Sequence, residues 1–127
     1  ETRARRATPI VCSLIPRKAW GEDGRIKRPL DGFEGWAGQV ARAERAGFID
    51  LNELIGRKLD ALGKDETNRL YVPNPTPEHP RGEGVHTGWD GAVINAEIVV
   101  SGLKALPDDP VAAWFSPKAG PIAPAAP

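Results

Sequence analysis

In Gly47-Phe48-Ile49-Asp50-Leu51-Asn52 a short apolar run stands between a glycine and an asparagine. Residues 48–51 read as a strand, and Asn52 is positioned to cap a helix over residues 53–62 that Gly63 ends. Upstream, Phe33, Trp36, Val40 and Ala43 recur at three- and four-residue spacing, which predicts an amphipathic helix over residues 33–46 with Gly47 as its stop signal. Its polar face carries Arg42, Glu44 and Arg45, and Trp36 is assigned to the core. Further upstream, residues 8–15 are almost continuously apolar until Pro16, the pattern of a strand buried in a parallel sheet. Strand, helix, strand, helix is the rhythm of an α/β fold.

The flanks extend this pattern. Residues 2–7 hold three arginines among small residues and read as the last turn of a helix, so the chain is expected to start in mid-fold. Residues 17–32 are charged, glycine-punctuated and aperiodic, a loop of the length that often carries function. Residues 64–84, with four prolines, predict a surface excursion that is helical only near residues 67–71. A last helix over residues 89–106 is apolar enough to be largely buried, and Pro107 closes it. Domain organisation is therefore one unit over residues 1–107 and a Pro/Ala-rich tail over 108–127, extended or partly disordered, from which Val111, Trp114 and Phe115 can dock.

Composition limits the function classes. With 127 residues and 40% hydrophobic content the chain makes at most one domain with a modest core. Lys plus Arg and Asp plus Glu are both 17, so no net field draws it to nucleic acid or to an anionic membrane. No apolar run approaches the roughly 20 residues that span a bilayer, and the polar N-terminus has no signal core. Cys12 is the single cysteine and is expected to be a buried, inert thiol.

Chemistry concentrates in Arg81-Gly82-Glu83-Gly84-Val85-His86-Thr87-Gly88-Trp89-Asp90-Gly91-Ala92. A carboxylate that reaches one ring nitrogen of a histidine leaves the other for a proton transfer, and such general-base help contributes roughly 10²- to 10⁴-fold. Glu83 and His86 have that spacing; the alternative is a histidine in a surface turn that caps the next helix. His79 and His86 are the only histidines, too few beside one cysteine for a zinc site, so no metal is assigned. Trp20 and Trp89 are candidates to stack on sugar rings, with core packing as the alternative. Arg17, Lys18, Arg25, Lys27 and Arg28 either meet an anionic polymer such as a uronic-acid-containing pectin or form a solvated face. Gly82, Gly84, Gly88 and Gly91 lack the preceding strand and the Lys-Ser/Thr ending of a phosphate loop.

Three ordered blocks carry a family resemblance: Ala7-Thr8-Pro9-Ile10-Val11, Gly47 to Asn52, and His86-Thr87 followed by Gly91-Ala92 and Asn95-Ala96. Over residues 7–106 the chain resembles the C-terminal half of an SGNH (GDSL-type) hydrolase, and within that superfamily it is most similar to the rhamnogalacturonan acetylesterases. The resemblance implies a three-layer α/β/α, flavodoxin-like fold with a parallel sheet. It also implies a Ser-His-Asp mechanism whose Asp-x-x-His block falls on Glu83-Gly84-Val85-His86, with glutamate in place of aspartate. His86 would be general base and then general acid, and Glu83 would orient it.

The family's Gly-Asp-Ser motif and its oxyanion-hole glycine and asparagine are absent from these residues. Ser13, Ser101 and Ser116 fall in a strand, a helix and the tail rather than at a strand-end turn. The chain alone is therefore expected to be catalytically silent, its partner being the N-terminal half of its own domain. By resemblance the substrate is an acetylated plant cell-wall polysaccharide or a small acyl ester, no cofactor is required, and the location is extracellular or periplasmic. The alternative is a non-catalytic carbohydrate-binding or interaction module on the same scaffold.

Overall fold

The computed structural model describes residues 1–72 and 84–126. Its centre is a parallel pair of strands, β1 (Ile10–Cys12) and β2 (Gly47–Ile49), with Ile10 opposite Gly47, Val11 opposite Phe48 and Cys12 opposite Ile49. The helix α1 (Phe33–Ala43) makes the crossover between them. α2 (Leu51–Arg69) follows β2 directly, and α3 (Trp89–Lys104) returns to pack against α2 and β2. The α/β reading therefore holds for the part of the fold that these elements define.

β2 and α2 meet as the sequence indicates, but the cap is Asp50 rather than Asn52: its carboxylate accepts the Glu53 N–H at 3.1 Å. Asn52 is instead buried, its side-chain amide donating to the Pro29 carbonyl at 3.3 Å. Gly63 breaks the helical path with φ of 76°, yet the chain resumes helical geometry to Arg69, so the short helix expected near residues 67–71 continues α2. Thr67 ties the second piece back, its hydroxyl donating to the Leu59 carbonyl at 3.1 Å. Ile26, Ile49, Leu51, Ile55, Leu59 and Leu106 form the core, with Ile98, Val99 and Leu103 of α3 packed against it.

Three burial expectations are corrected. α1 faces the sheet with its small residues Gly38 and Ala41, so Phe33, Trp36 and Val40 point away from it and Trp36 is 53% exposed. Phe33 and Trp36 meet edge to face at 5.1 Å on that outer side. α3 is not largely buried: only Gly91 and Gly102 are fully so, because one stripe suffices to cover β2. Gly102 permits that approach, since a Cβ there would lie 2.4 Å from Ile49 Cγ2. Cys12 is exposed, because it ends β1 on a sheet face that no described element covers at that position.

The loop before α1 is pinned to α2. Asp60 accepts the Ile26 N–H at 2.7 Å and the Arg28 guanidinium at 2.6 Å, and Arg28 also reaches Glu53 at 3.0 Å. Arg28 thus leaves the set of solvated cations. Arg3 caps the end of α1 from a distance of 41 residues in sequence, donating to the carbonyls of Glu44 and Arg45 at 2.7 and 2.8 Å.

The tail is held along α3. Lys104 donates to the carbonyls of Ala119 and Ile122 at 2.6 and 2.7 Å and lies over the Phe115 ring at 5.6 Å. Ser101 adds a bond to the Ala123 carbonyl at 2.8 Å and accepts the Ala125 N–H at 3.0 Å. A proline-rich segment has few N–H groups with which to build its own ladder, so donors on α3 order its carbonyls. Phe115 docks, whereas Trp114 remains 86% exposed.

Candidate functional site

His86 lies on a short segment clamped from three directions. Tyr71 and Thr87 form an antiparallel bridge, flanked by bonds from Val72 N–H to the His86 carbonyl at 3.0 Å and from Gly88 N–H to the Leu70 carbonyl at 2.8 Å. On the other side the Lys18 N–H donates to the Gly84 carbonyl at 2.8 Å. Gly84 adopts φ of 66°, a left-handed conformation that favours glycine, and a Cβ there would stand 3.2 Å from the Lys18 carbonyl oxygen. The segment then enters α3 through Gly88, its N-cap.

Gly91 completes the clamp. A Cβ at that position would lie 2.6 Å from the Leu70 carbonyl oxygen and 2.8 Å from Thr87 Cβ, so the first turn of α3 closes on the bridge only with glycine. Beneath the bridge Tyr71 is 5% exposed, and burial pushes its hydroxyl pKa up. The Lys18 ammonium covers its ring at 5.1 Å. These contacts fix the backbone that carries His86, while the residue itself is exposed.

The other candidates have distinct settings. Trp89 opens α3 three residues after His86 and is 81% exposed. Trp20 is partly buried against the core, with the Lys64 ammonium 5.5 Å from its ring centroid. Trp20 shares the loop that Lys18 ties to Gly84, so both tryptophans belong to segments joined at the histidine loop. Glu83 and His79 lie outside the described residues. Among the described residues, no group of three or more His, Cys, Asp or Glu side chains could hold a metal ion.

The serines are engaged elsewhere. Ser13 is buried at the carboxyl ends of β1 and β2, where its hydroxyl donates to Asp50 at 3.0 Å and accepts the Asn52 N–H at 2.9 Å. This network fixes the junction between sheet and α2. Ser101 holds the tail, and Ser116 precedes the turn Pro117–Ala119. Sequence reasoning missed Lys18, Tyr71 and Val72 as supports of His86; the β-prone pair Tyr71-Val72 ahead of the prolines was the available signal.

The chain is distantly related to an esterase family. It is similar to rhamnogalacturonan acetylesterase RhgT of Bacillus subtilis (strain 168), with 28% identity over 109 residues that cover 82% of this chain and 47% of that protein. The chain thus spans about half the length of this curated relative. No protein-family profile and no solved structure matches it. No described helix is long and apolar enough to cross a membrane.

Proposed function

We propose that this chain carries the acid/base portion of an SGNH-type serine esterase that removes O-acetyl groups from a plant cell-wall polysaccharide such as rhamnogalacturonan. The observation that carries the proposal is the rigid presentation of an exposed histidine at the head of a helix, in a chain related to an acetylesterase. His86 accepts the proton of a serine hydroxyl as the serine oxygen bonds to the acetyl carbon. It returns that proton to the sugar oxygen as the ester C–O bond breaks, and water then releases acetate by the same two steps. Glu83 orients the imidazole, and Trp20 and Trp89 contact the polysaccharide. The chemistry requires side chains, backbone donors and water.

The serine and its oxyanion donors belong, in this proposal, to a further polypeptide segment that pairs with the open edge of β1 and covers Phe33, Trp36 and Val40. The exposure of those three residues, beside a strand that has one partner among the described residues, supports it. Export to an extracellular or periplasmic site suits a polymeric substrate. The test is His86→Ala in a protein that contains this chain together with its nucleophile segment. Loss of a triad member typically lowers kcat by about 10⁴- to 10⁶-fold, so acetate release from acetylated rhamnogalacturonan falls to background while the melting temperature is kept. Unchanged acetate release refutes the assignment.

A second reading is supported by the engagement of Ser13 and Ser101 in structural bonds. In it the chain is a non-catalytic carbohydrate-binding or interaction module on the same scaffold. That reading requires saturable binding of the polysaccharide with no acetate release from the complete protein.

A further inference from the structure

We infer that Val72 contacts the substrate at the His86 site, as the apolar neighbour of the group on which the imidazole acts. The inference rests on the esterase reading of His86. Because Tyr71 stands opposite Thr87 in an antiparallel bridge, Val72 stands opposite His86, and the 3.0 Å bond from Val72 N–H to the His86 carbonyl joins that pair. Side chains alternate between the two faces of a strand. Tyr71 and Thr87 therefore share one face, and Val72 and His86 share the other.

Burial agrees with this alternation. Tyr71 is buried beneath Lys18 and Thr87 is partly buried against Gly91, whereas Val72 is 43% exposed and His86 is exposed. Directly opposed residues have Cβ atoms about 4.5–5.5 Å apart, so the valine methyls and the imidazole occupy one patch of surface. A single exposed valine is ordinary on a protein surface; its neighbour distinguishes this one. A general base works at hydrogen-bond distance, roughly 2.6–3.2 Å, which brings the atoms around the reacting carbonyl within van der Waals reach of Val72. The chemistry that fits is a small apolar group, either the acyl methyl or the C–H face of the sugar that bears the ester.

The experiment compares the parent with Val72→Ala and Val72→Leu in a protein that contains this chain and its nucleophile segment, after melting curves confirm that both variants fold. One arm measures kcat/KM for 4-nitrophenyl acetate and 4-nitrophenyl butyrate. Contact with the acyl group makes Val72→Ala raise the butyrate-to-acetate ratio about tenfold and Val72→Leu lower it. The other arm compares an O-acetylated methyl galactoside with 4-nitrophenyl acetate; contact with the sugar face makes Val72→Ala lower the galactoside-to-phenyl ratio about tenfold. Ratios within about twofold of the parent in both arms overturn the inference. A readout independent of turnover is titration with N-acetylgalactosamine, an amide analogue of an acetyl ester, followed by NMR with His79→Gln used to assign the His86 ring. Joint shifts of the Val72 methyls and the His86 ring support the contact. A shift of His86 alone overturns the role of Val72 but keeps the esterase reading; no shift of either, with no turnover of any ester, overturns both.

Discussion

At Gly91 one hydrogen stands where a methyl group would meet the Leu70 carbonyl and Thr87. Gly91→Ala forces α3 and the bridge apart, and overpacking of this kind costs about 1–3 kcal/mol. The expected result is a lower urea midpoint at constant m-value, with accompanying changes in the NMR signals of His86; an unchanged midpoint contradicts the clamp. Asp60 supports a second prediction. Burial by itself would raise its pKa, but the Ile26 N–H and the Arg28 guanidinium outweigh it and hold the carboxyl below its ordinary value. A carboxyl whose pKa is lower folded than unfolded stabilises the fold above its unfolded value, about 3.9, and that contribution disappears as pH falls through the folded pKa. Asp60→Asn is therefore less stable than the parent near neutral pH, and its urea midpoint changes less on acidification to about pH 3. Parallel pH profiles for the two proteins contradict this. The loop that enters α3 was legible because a polar, glycine-rich stretch before an apolar run marks a helix start. Lys18, Tyr71 and Val72 were not, since their role depends on pairing with residues distant in sequence, His86, Thr87 and Gly84.

Among the elements, β2 and the start of α2 were readable because strand and helix meet within six residues and the cap is local. β1 was overestimated: the apolar run over residues 8–15 yields only Ile10–Cys12, since a strand extends no further than its hydrogen-bonding partner. The exposed face of α1 was misassigned for a related reason. Periodicity identifies an apolar stripe but not what lies opposite it, and here the small residues face the sheet. The tail shows how single side chains can order a segment that composition reads as loose. Lys104 makes two bonds to tail carbonyls and lies over Phe115. Lys104→Met keeps much of the stem and removes the ammonium, so the tail is expected to detach while the α/β body stays folded. Faster hydrogen exchange at the Ala125 amide and earlier proteolytic cleavage after residue 110, with at most about a 1–3 kcal/mol loss of global stability, are the expected observations. Protection equal to that of the parent would show that packing alone holds the tail.

Across the whole molecule, apolar side chains are distributed unequally about the sheet. Ile26, Ile49, Leu51, Ile55, Leu59 and Leu106 close the side formed by β2, α2 and α3, while Leu30, Phe33, Trp36 and Val40 remain exposed on the side of α1. β1 has one strand partner among the described residues, and a strand edge without a partner next to such a stripe is a template for association, because unpaired backbone groups and apolar surface are both satisfied by another chain. The isolated chain is therefore expected to self-associate or to remain partly unfolded, to bind a hydrophobic dye, and to melt over a broad range. Charge at the stripe separates its contribution from that of the edge. Phe33→Glu combined with Trp36→Lys removes the edge-to-face ring pair and the exposed aromatic area of this stripe without touching Gly38 or Ala41, which face the sheet. That double variant should reduce dye binding and shift sedimentation toward monomer while leaving helical content unchanged. If the parent chain already sediments as a monomer, binds no dye and melts sharply, the α1 face is compatible with water as it stands, and the proposed covering segment loses its main physical support.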